Sequence, residues 1–191
     1  MRIAIYIAAS ILLLAFSFLV FRVIVRRDYS KKGRTTLFST ILETLVFALH
    51  ANFSYLFIPA TWPNLPYFPS DLLHQLIGLF LIGFGILITL AAMISLGYKR
   101  LFGQGSDEIK SSGFYRYSRN PQLVAYGAAI IGLALLWPSW YSFVWIILYG
   151  IITHMMINTE EEFLHRVHGA NYDKYCKKVS RYITLNFSRG K

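Results

Sequence analysis

The first long run of the chain constrains everything after it. Residues 3–25 are nearly all apolar, and a run of that length meets the roughly 20 residues a helix needs to cross hydrocarbon. The competing reading is a cleaved leader. The apolar run is too long for one, and no small-x-small cleavage site comes after it. The end of the run and the residues beyond it are basic: Arg22, Arg26, Arg27, Lys31, Lys32 and Arg34.

Four more apolar stretches come after. Residues 35–58 form the second predicted span and carry Glu43, His50 and Asn52. Glu43 and His50 share a helix face, where packing hydrogen bonds are the plain reading. Residues 59–71 hold four prolines, a Trp and a Tyr, with no Lys or Arg. Proline breaks helices, and Trp and Tyr favour the membrane–water interface. His74 beside Asp71 belongs at that interface too. Residues 72–96 are the third span, with Gly78, Gly83 and Gly85 available for close helix contact. A polar loop, 97–120, leads to Pro121, which suits a helix start because its missing N–H costs nothing there. Residues 122–137 and 141–157 read as a helical hairpin turned at Pro138-Ser139, both arms short for full crossings. From residue 158 the chain is polar and basic.

Composition agrees. Charged residues are 15% of the chain, against roughly 25% in soluble domains. The expected architecture is an all-α integral membrane protein, one domain over 1–191, with about five transmembrane helices and a cytosolic C-terminal helical cap. No internal repeat or linker divides it. The net charge of +10 is explained by placement. Six Lys/Arg lie in 22–36, five in 97–120 and seven beyond 158, which is 18 of 19. Five crossings put all three regions on one side. The positive-inside rule makes that side cytoplasmic and the N-terminus external. The lipid bilayer is therefore the expected partner, and nucleic acid is not. Nothing in the sequence reports oligomeric state. The single Cys176 excludes an internal disulfide and reads as an ordinary thiol.

The polar residues near the end of the fifth span carry chemistry. His154, Asn158, Glu161, His165 and His168 lie within a stripe of about 80° on one helix. A polar stripe entering a bilayer is costly and tends to face a cavity or a partner. Within the acidic triplet Glu160-Glu161-Glu162, Glu161 falls on that stripe and Glu160 about 120° from His154 at 100° per residue. A solvated helix start would also carry such acids. A metal site is not expected, because His154, Glu161 and His165 lack the tight H-E-x-x-H spacing of a zinc helix. No Gly-rich strand–helix turn marks a soluble nucleotide-binding domain.

Two motifs complete the picture. The stretch S-G-F-Y-R-Y-S-R-N-P, an apolar hairpin, and then E-E-E-F-L-H-R-V-H-G-A-N-Y-D-K-Y-C-K-K-V-S-R come in that order. Together they resemble the C-terminal half of the isoprenylcysteine carboxyl methyltransferase and phospholipid methyltransferase superfamily. Gly113, Tyr115, Arg119 and Pro121 match its first segment, and Glu160, Glu161, Leu164, Gly169, Tyr172 and Tyr175 its second. Asn120 stands where many members have His, although the lipid-methylating branch uses Asn-Pro. Leu123, Ala125 and His168 replace the family's Tyr, Gly and Phe. The resemblance implies an enzyme that transfers a methyl group from S-adenosylmethionine to a lipophilic small-molecule or lipid-modified acceptor at the cytosolic face. It implies Arg119 and Glu161 as the catalytic pair. It implies Tyr115, Tyr117, Arg119, Asn120, Pro121, Glu160, Glu161, Tyr172 and Tyr175 around the cofactor.

Charge fits that cofactor: a Glu can pair with its ammonium and Arg119 with its carboxylate, and tyrosines can stack on adenine or line the sulfonium. Two other functions stay open from sequence. Membrane sterol reductases, which use NADPH, end in a segment similar to Tyr175-Cys176-Lys177-Lys178-Val179. Against them, three clustered carboxylates would repel a nucleotide phosphate. The other is a non-enzymatic membrane protein. Carboxylate, thiol, amine and phospholipid headgroup all remain possible methyl acceptors.

Overall fold

A computed structural model describes residues 2–59, 67–97 and 109–184. Lys99, Arg100 and the Gly103-Gln104-Gly105 segment lie outside the described residues, as do most of the proline loop and the end of the tail. The described residues are helical, with no strand.

The first helix, α1, runs Arg2–Lys32, well past the apolar boundary at residue 25. The stretch expected as a basic loop is thus largely helix. It stops at Gly33, whose φ of 65° is the left-handed turn that suits glycine after a helix. Lys31 and Lys32 in the last turn favour its negative dipole end. Residues Leu19–Val25 within α1 are π-helical. The second helix, α2, spans Leu37–Asn52 and begins with a Thr36–Ser39 capping box. A 3-10 turn, Phe53–Leu56, comes next.

The third helix, α3, is Leu72–Leu96, capped by the Asp71 carboxylate on the Leu73 N–H. Asp71 also pairs with His74. Then come α4, Pro121–Leu136, and α5, Trp140–His168, the latter started by a Ser139–Ser142 capping box. A short helix, α6, Ala170–Lys178, closes the series. Four helices are long and apolar enough to cross a membrane, and α4 is a shorter apolar one. The hairpin is therefore asymmetric. Its second arm was expected to be short, but α5 continues unbroken for 29 residues. Its polar end is helical because α6, the 111–121 loop and the 179–184 segment pack around it.

Glycine sets the closest contact, between α3 and α4. A Cβ on Gly85 would stand 2.6 Å from the Ala125 carbonyl, and one on Gly132 would stand 2.6 Å from that of Gly78. Small residues let these backbones touch. Gly83, expected to serve the same purpose, faces open space.

The main core joins α1, α2 and α5 through Val20, Phe21, Val46, Ile152 and Phe163, with Tyr29 stacked on Phe163 at 4.3 Å. His50 is a packing residue, as the plain reading had it. Its ring stacks on Trp145 at 5.1 Å, its Nε2–H donates to the Trp145 carbonyl (3.0 Å), and the indole N–H returns a bond to the His50 carbonyl (2.8 Å). At one end of the bundle, Trp137 Nε1 donates to the Tyr67 carbonyl at 2.8 Å and its ring meets Phe68. The Arg–Glu pairs gather at the other end.

Candidate functional site

The site starts from the 111–121 loop. Gly113, with φ 61°, opens a 3-10 turn, Gly113–Arg116, that buries Tyr115. The Tyr115 hydroxyl donates to Gln122 Oε1 at 2.9 Å, and its carbonyl accepts the Tyr175 hydroxyl at 2.7 Å. This fastens the loop to α6. Ser118 and Asn120 are buried, and Ser118 Oγ accepts the Asn120 N–H at 3.0 Å. Pro121 is the first residue of α4. The loop therefore enters the helix in a fixed direction, with Arg119 held two residues before its start.

Arg119 meets α5 at Glu161. The helix runs straight through the acidic triplet, so Glu161 stays on the inward stripe and is only 8% exposed. Arg119 Nη2 lies 2.9 Å from Glu161 Oε1. From the opposite side, Arg181 Nη2 donates to Glu161 Oε2 at 2.5 Å. Arg119 Nε is buried without a hydrogen-bond partner among the described residues, whereas both Glu161 oxygens are met by guanidinium groups. Buried polar groups are nearly always satisfied, so the Arg119 Nε–H has unused donor capacity.

The other two glutamates face elsewhere. Glu160 lies on another flank of α5. Glu162 is taken by α1: Arg22 Nη2 lies 2.7 Å from one oxygen and Arg26 Nε 2.8 Å from the other. The Thr159 hydroxyl adds to this seam, accepting from Arg22 Nη1 and lying 3.1 Å from the Phe21 carbonyl. Arg116 faces away from the triplet and lies over the Tyr117 ring at 5.1 Å. Tyr117 is exposed.

On α6, Tyr172 is buried and meets the His165 ring edge-on at 4.6 Å. His165 pairs with Asp173 at 2.9 Å. Burial pushes the Tyr172 and Tyr175 phenols well above their ordinary range, so both stay neutral donors. Burial also raises the Cys176 thiol, only partly offset by the nearby Arg119 charge. That suits an inert thiol.

The structure thus brings Tyr115, Arg119, Asn120, Pro121, Glu161, Tyr172 and Tyr175 to one end of the bundle, and leaves Tyr117 on its outside. It also brings in residues 180–184, of which only Ser180 and Arg181 belong to the motif that carries the resemblance. The Arg119 N–H donates to the Ser180 carbonyl (3.1 Å), the Thr184 N–H to the Tyr117 carbonyl (2.9 Å) and Asn120 Nδ2 to the Arg181 carbonyl (3.1 Å). Residues 180–184 therefore lie across the loop. Beside them is an apolar cavity of about 390 Å³, walled by Leu123 and Ile131 of α4, Gly150 and Thr153 of α5, and Tyr182 and Ile183.

A family model described as phospholipid methyltransferase matches residues 73–171, more than half of the chain. The match takes in α3, the 111–121 loop, α4 and α5, and stops before Tyr172, Tyr175 and Arg181. No curated protein and no solved structure matches the chain. The chain belongs to the phospholipid methyltransferase family.

Proposed function

We propose that this family member transfers the methyl group of S-adenosylmethionine to a lipophilic acceptor at the cytosolic membrane face. Membership implies membrane methyltransferase activity. The observation that carries the finer reading is the buried Arg119–Glu161 pair with its unpartnered Arg119 Nε–H. A ligand end bearing both an ammonium and a carboxylate suits such a pair. Glu161 would hold the ammonium, and Arg119, with a free Nε–H, the carboxylate. Tyr172 and Tyr115, both buried beside them, offer aromatic surface to the adenine or the sulfonium.

When bound, the cofactor supplies an electrophilic methyl carbon on a sulfonium. What the protein must add is alignment and exclusion of water. The loop, α5 and α6 provide a rigid, largely buried frame for the first. The apolar cavity provides for the second: its walls suit the hydrocarbon chain of a lipid whose headgroup sits near the Glu161 end. The charge placement of 18 Lys/Arg against one supports a reading with this end in the cytoplasm and the N-terminus outside.

Binding titrations of the detergent-solubilised protein with S-adenosylhomocysteine and, separately, NADPH test the reading. Saturable binding of the first is expected. Binding of NADPH alone would replace it with the reductase reading.

A further inference from the structure

Consecutive residues of the 180–184 segment face two different places. Arg181 reaches Glu161 at 2.5 Å. Tyr182 and Ile183 wall the apolar cavity, and Tyr182 is anchored there by a 3.0 Å contact of its hydroxyl with His154 Nδ1. The main chain between them is clipped to the 117–120 loop by the bonds from the Arg119 N–H, the Thr184 N–H and Asn120 Nδ2. One short strap is thus a common wall of the charged site and the cavity.

Charge makes the strap sensitive to what binds. Glu161 already faces two guanidinium groups. With an arginine on each of its oxygens, Glu161 has no free acceptor for a third cation. An incoming ammonium must therefore displace one arginine. Arg119 is the more fixed, with its side chain 12% exposed and its backbone leading straight into α4, whereas the Arg181 side chain is 30% exposed. With Arg181 gone, the ammonium and carboxylate of the ligand balance Glu161 and Arg119.

We propose that residues 180–184 act as a latch between the two sites. Arg181 competes with the cofactor's ammonium for Glu161, and its displacement draws Tyr182 and Ile183 off the cavity, so that cofactor binding opens the place for the lipid acceptor. This rests on the methyltransferase reading above. It makes cofactor and acceptor binding coupled, and such coupling is reciprocal.

The test is titration of the detergent-solubilised full chain with S-adenosylhomocysteine, comparing the wild type with Arg181→Gln. A hydrogen bond to a charged group that no longer competes should tighten binding about tenfold. Unchanged or weaker binding in Arg181→Gln, with the wild type binding normally, would overturn the latch alone. Absence of binding in both proteins would remove the methyltransferase reading as well. A second measurement needs no variant: trypsin cleavage between Arg181 and Tyr182, read by mass spectrometry. Saturating S-adenosylhomocysteine should speed that cut severalfold. A rate that is unchanged or slowed by ligand counts against the latch.

Discussion

Arg119 Nη2 and Glu161 Oε1 are 2.9 Å apart, across a gap of 42 residues in sequence, and their side chains are only 12% and 10% exposed. A loop before one helix and the far end of the next thereby share one buried charge pair. Removing one partner of such a pair leaves the other uncompensated.

Glu161→Gln is expected to weaken S-adenosylhomocysteine binding about tenfold or more, since hydrogen bonds to charged groups contribute roughly 1.5–3 kcal/mol. Calorimetric titration measures it. Glu160→Gln, altering a carboxylate on another flank of α5, should have a smaller effect. Equal affinities for the wild type and both variants would exclude a carboxylate–ammonium contact.

The neighbouring residue predicts a different phenotype. On sequence grounds Glu162→Gln should do little to the cofactor, and the structure supplies the reason: both its oxygens face Arg22 and Arg26 of α1. The pair is part-exposed, at 23% for Arg22 and 35% for Glu162, so screening keeps its contribution to about 1 kcal/mol. Glu162→Gln should lower the melting temperature by a few degrees while cofactor affinity stays within about twofold.

These residues also mark what sequence could and could not reveal. The apolar runs, the Pro121 helix start and the wheel position of Glu161 are local properties, legible from periodicity alone. The inward side of Glu161 required only that α5 continue past Asn158, which it does. The Arg22–Glu162 seam joins residues 140 apart, and no local pattern marks such a pair. Arg181 closes the stretch that carries the family resemblance, yet nothing in its neighbours says that its main chain would clip to the 117–120 loop. Helix α1 outran its apolar segment because tertiary contacts with α5 hold the basic turns that hydropathy alone reads as loop.

Two glycines of α3 separate packing from mere composition. A Cβ at Gly85 would fall 2.6 Å from the Ala125 carbonyl and 2.7 Å from the Ala129 nitrogen, while one at Gly83 meets nothing within 4 Å. Gly85→Ala must push α4 away, at a cost of roughly 1–3 kcal/mol in line with overpacked cores. Gly83→Ala should be neutral or slightly stabilising, because alanine is the better helix former. Thermal unfolding in detergent compares them. Equal stabilities would mean that α3 and α4 are not in backbone contact.

The last prediction concerns which face of the membrane holds the site. Two independent features divide the molecule the same way. Lys and Arg cluster in 22–36, 97–120 and beyond 158, and the Arg119–Glu161 and Arg22–Glu162 pairs lie at that end. The opposite end carries Tyr67, Phe68 and Trp137 in mutual contact, the kind of aromatic belt found at a membrane–water interface. With Cys176 replaced by Ser, a single cysteine at exposed Tyr67 should react with a membrane-impermeant maleimide on intact cells. One at exposed Ser112 should react only after permeabilisation. Tyr67→Cys keeps the backbone carbonyl that Trp137 uses, so the fold at the reporter is preserved. The reverse labelling pattern would place Glu161 on the outer face. S-adenosylmethionine is made and used inside cells, so that result would remove the donor from reach and overturn the assigned reaction along with the orientation.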